Sequence, residues 1–118
     1  MEQGSGSIVM ISSVSALKGN IGQVAYSASK AAMLGMARSL AREVARFNIR
    51  VNCVLPGLIE TEMTTQMSDL EQKALKSAIP LRRLGRADEV AQATAYLISE
   101  ASSYMTGQSL VLDGGMSA

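Results

Sequence analysis

Tyr26 and Lys30 stand at i and i+4 in Tyr26-Ser27-Ala28-Ser29-Lys30. That spacing puts a phenol and an ammonium on one face of a helix. A free tyrosine, with a pKa of about 10, is a poor acid or base at neutral pH. An ammonium one turn away stabilises the phenolate, and the positive end of a helix acts in the same direction. Such a tyrosine gives and takes a proton near working pH. Further back, Ser13 follows the apolar run Ile8-Val9-Met10-Ile11. A hydroxyl at the carboxyl end of a parallel strand sits where open α/β sheets hold their ligands. There it could hydrogen-bond a carbonyl oxygen that the tyrosine protonates. Singly these signals are weak, since a solvated lysine beside a tyrosine and a serine in a loop are both common.

The elements that must carry these residues follow from pattern. Residues 1–6 are small and polar and read as a lead-in. Ile8 to Ile11 has the continuous apolar pattern of a strand covered on both faces. Ser12 to Gly22 reads as a loop, and Gln23 to Arg46 as a long proline-free helix with Ala28, Ala32, Met36, Leu40 and Val44 among its apolar residues. Its small residues Ala31, Ala32, Gly35 and Ala41 suit either core packing or a helix-pairing surface. Ile49 to Leu55 is a second strand, closed by Pro56-Gly57. Ser68-Asp69-Leu70-Glu71 matches a capping box for a helix to about Ala78, which Pro80 stops. Another helix begins near Ala87 or Asp88, and Ser109 to Leu112 is a third strand before Asp113-Gly114-Gly115. Alternating strands and helices predict right-handed βαβ units in a parallel, doubly wound α/β sheet of about three strands within one domain, residues 1–118. Few strands leave the edge of Ile8–Ile11 without a neighbour. Ser13, Tyr26 and Lys30 are expected to converge at the carboxyl edge of this sheet.

Composition narrows the function further. The 118 residues are 47% apolar and carry 11 Lys and Arg against 10 Asp and Glu, a net charge of +1. That balance argues against a strongly electrostatic nucleic-acid or membrane binder. With no histidine, a Ser-His-Asp triad and a His-ligated metal are excluded. The single Cys53 cannot form an internal disulfide, which fits a reducing compartment. No apolar run approaches the ~20 residues of a membrane helix, and no signal peptide is visible. A cytoplasmic or organelle-matrix protein is expected.

Gly6-Ser7-Ile8-Val9-Met10-Ile11-Ser12-Ser13 and Tyr26-Ser27-Ala28-Ser29-Lys30 resemble the catalytic serine segment and the Tyr-x-x-x-Lys motif of the short-chain dehydrogenases/reductases. Arg50-Val51-Asn52-Cys53-Val54-Leu55-Pro56-Gly57 resembles that family's next strand and Pro-Gly turn. Thr61 fits its cofactor loop, and Gly107 with Leu110-Val111-Leu112-Asp113-Gly114-Gly115 is similar to its last strand. The likeness runs in order from about Gly6 to Gly115. Gly19-Asn20-Ile21-Gly22-Gln23, Leu40-Ala41-Arg42-Glu43-Val44-Ala45, Ile59-Glu60-Thr61-Glu62-Met63-Thr64 and Ile79-Pro80-Leu81-Arg82-Arg83-Leu84-Gly85 look most like beta-ketoacyl-(acyl carrier protein) reductases, although sugar and secondary-alcohol dehydrogenases share much of this wording.

The resemblance implies the C-terminal part of a Rossmann-type fold that reduces a carbonyl, here a 3-oxoacyl thioester, with NADP(H) rather than NAD(H). Tyr26 would exchange the proton, Ser13 would polarise the carbonyl, and Lys30 would support Tyr26 and hold the nicotinamide ribose. Pro56, Gly57 and Ile59 would line the nicotinamide, with Thr61 on its carboxamide or on the phosphates. Gln23 would face the substrate, and the Glu62–Met67 stretch would be either substrate mouth or solvent-covered loop. Arg82, Arg83 and Arg86 would be either a solvated loop or an anion site. A homo-oligomer is implied, and acyl carrier protein is a possible partner, with no nucleic acid, membrane or metal.

Two departures stand out. Arg46 is followed by uncharged Phe47 and Asn48, where carrier-protein reductases carry a basic residue. The family's Gly-x-x-x-Gly-x-Gly turn, which receives the cofactor pyrophosphate at a helix N-terminus, matches no spacing of the ten glycines. Met1 is thus either an internal methionine of a longer gene or the start of a shortened product. The alternative to an enzyme is a non-catalytic remnant or assembly partner.

Overall fold

The computed structural model describes residues 4–18 and 21–118. Gly19 and Asn20 of the Gly19–Gln23 motif, and residues 1–3 of the lead-in, lie outside them. Three strands, β1 (Gly6–Ile11), β2 (Ile49–Pro56) and β3 (Ser109–Leu112), form a parallel sheet in the order β1-β2-β3. The register pairs Ile8 with Val51 and Leu55 with Val111. The helices are α1 (Ser15–Lys18), α2 (Val24–Val44), α3 (Glu62–Thr65), α4 (Asp69–Ser77) and α5 (Ala87–Ile98), with short 3-10 turns at Ala45–Phe47 and Glu100–Ser102.

Strand β2 is paired on both edges, and alternation along it divides the core. Val51, Cys53 and Leu55 pack with Leu34, Ala37 and Ala41 of α2 and with Val14. Burying each large aliphatic side chain there contributes roughly 1.5–3 kcal/mol. The small residues Ala37 and Ala41 let the α2 backbone close on the sheet, whereas Ala31, Ala32 and Gly35 face outward. Cys53 belongs to this core, and burial raises its thiol pKa, with Arg38 acting in the opposite direction.

Arg50 and Asn52 alternate onto the other face, where α5 lies. The Arg50 guanidinium donates through Nη1 to Ser102 O, Ser102 Oγ and Met105 O. Through Nη2 it donates to Leu97 O and Ser99 O. It thereby adds a charged second donor to carbonyls that also accept from Ser7 Oγ, Ser102 Oγ, the Met105 amide and Asn52 Nδ2, and binds the end of α5 to β2. Asn52, fully buried, donates to Met105 O at 3.0 Å and accepts from the Gln108 amide at 3.1 Å. These bonds lay the chain onto β2 just before β3 begins.

Helices α2 and α5 therefore cover opposite faces while the strand order advances in one direction. Two crossovers with that geometry have opposite hands, so the expectation of uniformly right-handed units fails for one of them. The handedness preference applies to a strand that feeds its helix directly. Between β2 and α5 the chain makes a long excursion over residues 57–86, which frees that connection from the preference.

Smaller differences have local causes. Ser12–Gly22 contains α1, and Ile59–Met67 contains α3; helices of one turn have no apolar periodicity to read. The long helix ends at Val44, where a 3-10 turn leads to Asn48 in the left-handed region (φ 58°), whose amide donates to Ala45 O at 2.9 Å. Among the described residues β1 pairs with β2 alone, and its Ile8 and Ile11 remain about two-fifths exposed.

Replacing Arg50 by methionine removes five bonds from a charged donor in a partly buried site. A loss of about 3 kcal/mol is expected in urea unfolding, and Arg50→Lys should recover little of it, because an ammonium lacks the guanidinium fork.

Candidate active site

The carboxyl edge of the sheet is built from three strand ends. The Ser12 amide donates to Val54 O at 2.8 Å, and the Val14 amide to Pro56 O at 3.2 Å, so the segment after β1 rides on the end of β2. Ser12 Oγ donates to Lys30 O at 2.9 Å, tying that segment to α2. Between these anchors Ser13 is half-buried, and its Oγ accepts from the Ser15 amide at 3.1 Å. Accepting that bond leaves the hydroxyl proton available to another acceptor.

Helix α2 leaves this edge and returns to the start of β2, so its first turn belongs to the carboxyl edge. Tyr26 is 47% exposed there, and Lys30 Nζ lies 5.5 Å from the centroid of its ring, within cation–π range. The two residues sit at the end of a stripe formed by Ser27, Lys30, Leu34, Ala37 and Ala41, the sheet-facing side of the helix. The stripe turns from apolar to polar at the carboxyl edge of the sheet. Ser27 Oγ is buried, with no hydrogen-bond partner among the described residues. Gln23, exposed, precedes α2, and its carbonyl accepts from the Ser27 amide at 2.8 Å.

Beyond β2, the Gly57 amide donates to Leu112 O at 2.9 Å. A Cβ on Gly57 would stand 2.6 Å from Asp113 Cβ, so the Pro56-Gly57 turn needs glycine for packing between two strand ends. Ile59 forms a parallel bridge with Gly85, fastened by Gly85 N to Leu58 O at 2.9 Å and Glu60 N to Gly85 O at 2.8 Å. Thr61 caps α3: its Oγ1 accepts from the Thr64 amide at 3.4 Å, and Thr64 Oγ1 accepts from the Thr61 amide at 2.7 Å. Ile59 also lines an apolar cleft of about 530 Å³ with Leu58, Leu81, Val90 and Leu112, whereas Ser13, Tyr26, Lys30 and Gly57 do not line it. Ser13, Tyr26 and Lys30 stand outside this cleft.

A family model described as enoyl-(acyl carrier protein) reductase matches residues 1–117. A 3-oxoacyl-(acyl-carrier-protein) reductase FabG from Thermotoga maritima is 48% identical over 116 residues, 98% of this chain and 47% of that protein. An acetoacetyl-CoA reductase from Synechocystis sp. is 49% identical over 114 residues, 96% of this chain and 48% of that protein. Carbonyl reductase family member 4 from Xenopus laevis is 51% identical over 116 residues, 98% of this chain and 47% of its own length. The chain belongs to the short-chain dehydrogenase/reductase family. It spans about half the length of these curated relatives.

Within this short-chain reductase chain, one positioning contact was not legible from spacing. Arg83 grips Glu89 with two bonds of 2.7 and 3.0 Å, and Glu89 Oε1 also accepts from the Arg86 amide at 3.0 Å. The Arg83 hydrogen bond, helped by the Arg86 amide, pulls the Glu89 carboxyl from 4.5 to about 2. This clamp sets the first turn of α5 beside the Ile59–Gly85 bridge. Among the described residues no three His, Cys, Asp or Glu side chains are grouped to hold a metal ion, and no helix is long and apolar enough to cross a membrane.

A carboxyl held low contributes stability above its unfolded pKa, and that contribution is lost as pH falls through the folded value. Thermal melts of the protein and of Glu89→Gln should therefore differ at pH 6 and draw together between about pH 4.5 and 2. A gap that persists unchanged at pH 2 would remove ionic pairing as its cause.

Proposed function

We propose that residues 1–118 form the C-terminal half of a cytoplasmic or organelle-matrix reductase that uses NADP(H) rather than NAD(H) to convert a 3-oxoacyl thioester to its hydroxyacyl form. The observation that carries this is the Lys30 ammonium 5.5 Å from the Tyr26 ring centroid, on the edge of a parallel sheet where α/β folds bind ligands. The relatives named as 3-oxoacyl and acetoacetyl-CoA reductases support the substrate class.

In this reading Ser13 donates its hydroxyl proton in a hydrogen bond to the substrate carbonyl oxygen, and Tyr26 gives its phenolic proton to that oxygen. Lys30 offsets the negative charge left on the phenol oxygen. Lys30 makes no ion pair among the described residues, so its N–H groups suit the hydroxyls of a nicotinamide ribose. Pro56, Gly57 and Ile59 line the ring, Thr61 meets the carboxamide or phosphates, and Gln23 meets the substrate. The nicotinamide, when bound, supplies the hydride. No glycine spacing in the 118 residues suits the pyrophosphate, so the donor set fits the nicotinamide end alone.

That mismatch favours a second reading for the isolated chain, a non-catalytic assembly partner. Holding the reacting carbon at about 3–3.5 Å draws on remote binding energy. The 118-residue chain is therefore expected to show negligible NADPH-dependent reduction of an acetoacetyl thioester. A version extended N-terminally with a glycine-rich turn should turn over, and Tyr26→Phe should lower its rate by about 10²-fold or more. Full turnover in the Tyr26→Phe protein would overturn the assignment.

Acyl carrier protein is the partner we infer for the substrate, and a second copy of the chain the partner for its surfaces. The outward small-residue face of α2 supports self-association: Met36 is 54% exposed, and a Cβ on Gly35 would meet nothing within 4 Å. Sedimentation at micromolar concentration should show an oligomer, and a stable, well-folded monomer would count against it.

A further inference from the structure

The basic residues between α4 and α5 fall into two groups. Arg83 and Arg86 are engaged by Glu89 and Asp88. Lys73, Lys76 and Arg82 make no ion pair among the described residues, and they gather around a cleft of about 440 Å³ with Gln72, Ser77 and Asp69. Three cations thus face one carboxylate. Arg82 holds a left-handed backbone (φ 60°) unusual for its type, and its Nη1 donates to Ser77 O at 2.7 Å. Closing the end of α4 accounts for that one bond, and a helix C-terminus welcomes Lys76. Neither reason applies to Lys73 or to the rest of the Arg82 fork. Uncompensated cations brought together are relieved by an anion, and phosphate accepts both an arginine fork and lysine point charges.

The position of the cleft selects among anions. It shares Gln72 and Lys76 with a neighbouring depression lined by Glu60, Thr64, Leu84 and Arg86. That depression begins at the loop following Ile59, which the proposed reaction sets against the nicotinamide. From Glu60 to Ala78 no residue is buried, so α3 and α4 form an arm with a continuous open surface between the two places. A thioester substrate carries its acyl group on a long flexible pantetheine arm whose far end is a phosphate ester.

We propose that Lys73, Lys76 and Arg82 form a phosphate subsite that anchors the phosphate end of a pantetheine thioester while the acyl end reaches the carboxyl edge of the sheet. The identity of the ligand rests on the reductase reading above; the cationic cleft does not.

The test is binding to the purified 118-residue chain, followed by amide NMR shifts with coenzyme A, 4′-phosphopantetheine and pantetheine as probes. Coenzyme A should shift amides across residues 69–82 with an affinity that falls as salt rises, and pantetheine, lacking phosphate, should not. The double variant Lys73→Glu/Lys76→Glu should weaken Kd by about tenfold or more. Lys73→Gln/Lys76→Gln should weaken it in the same direction without adding negative charge to the helix end. If 4′-phosphopantetheine matches coenzyme A, the arm phosphate common to carrier-protein and coenzyme substrates is the ligand; binding of coenzyme A alone would assign the cleft to its nucleotide phosphates and overturn the pantetheine anchor. Equal shifts with pantetheine, no binding of coenzyme A, or unchanged affinity in both variants would overturn the subsite. Binding is read without nicotinamide or turnover, so failure here leaves the Tyr26 assay intact, and failure of that assay leaves this result intact.

Discussion

Strand β2 must satisfy its backbone on two edges and its side chains on two faces at once, and the rest of the molecule is arranged around that demand. Residues 51–55 are all buried, a condition that parallel strands meet only when helices cover both sides. One face is met by apolar packing against α2. The other carries an arginine and an asparagine, which are tolerable there because Nη1 and Nη2 of Arg50 and the side-chain amide of Asn52 donate to the end of α5 and to the chain leading to β3. The same strand then delivers Pro56 and Gly57 to the carboxyl edge of the sheet, where the closeness of Asp113 leaves no room for a side chain on Gly57.

The candidate site inherits its geometry from this frame. Helix α2 is held along its length by the β2 core and at its start by Ser12, whose hydroxyl reaches Lys30 O. Tyr26 and Lys30 consequently occupy the turn where the sheet-facing stripe runs out of apolar partners. Polar groups can stand there without the desolvation they would meet one turn further into the core. The Ser27 hydroxyl, without a partner among the described residues, marks the same boundary. On the opposite side of the edge, the excursion between β2 and α5 is fastened at the Ile59–Gly85 bridge and at the Arg83–Glu89 clamp, and between them α3 and α4 stand out as an arm without buried residues.

Electrostatics on this arm show how little a list of charges conveys. Arg82, Arg83 and Arg86 are close in sequence, yet two of them neutralise the first turn of α5 while Arg82 turns back toward α4 and joins Lys73 and Lys76. The left-handed backbone at Arg82 decides the division. It points adjacent arginines in different directions, and only the acids of α5 lie within reach of the second.

Much was determined by the residues alone. The runs at Ile8, Ile49 and Ser109 announce three strands, Gln23 and Ala87 sit at or beside the starts of two long helices, and a four-residue spacing brings Lys30 beside the Tyr26 ring. These are local signals, set by periodicity, proline and glycine placement, and side-chain reach within one helix. Single-turn helices at Ser15 and Glu62 escaped that reading because one turn carries no period, and the Thr61–Thr64 cap lacks the acidic residue by which such boxes are recognised. Tertiary structure alone decided which face α5 covers, and with it the opposite hands of the two crossovers. It decided that Arg50 spends its charge on backbone carbonyls and which arginines are left unpaired. The place of α5 and the fate of Arg50 depend on contacts between residues some fifty positions apart, such as Arg50 with Ser102 and Asn52 with Gln108, and distance in sequence says nothing about which partners a folded chain will bring within hydrogen-bonding range.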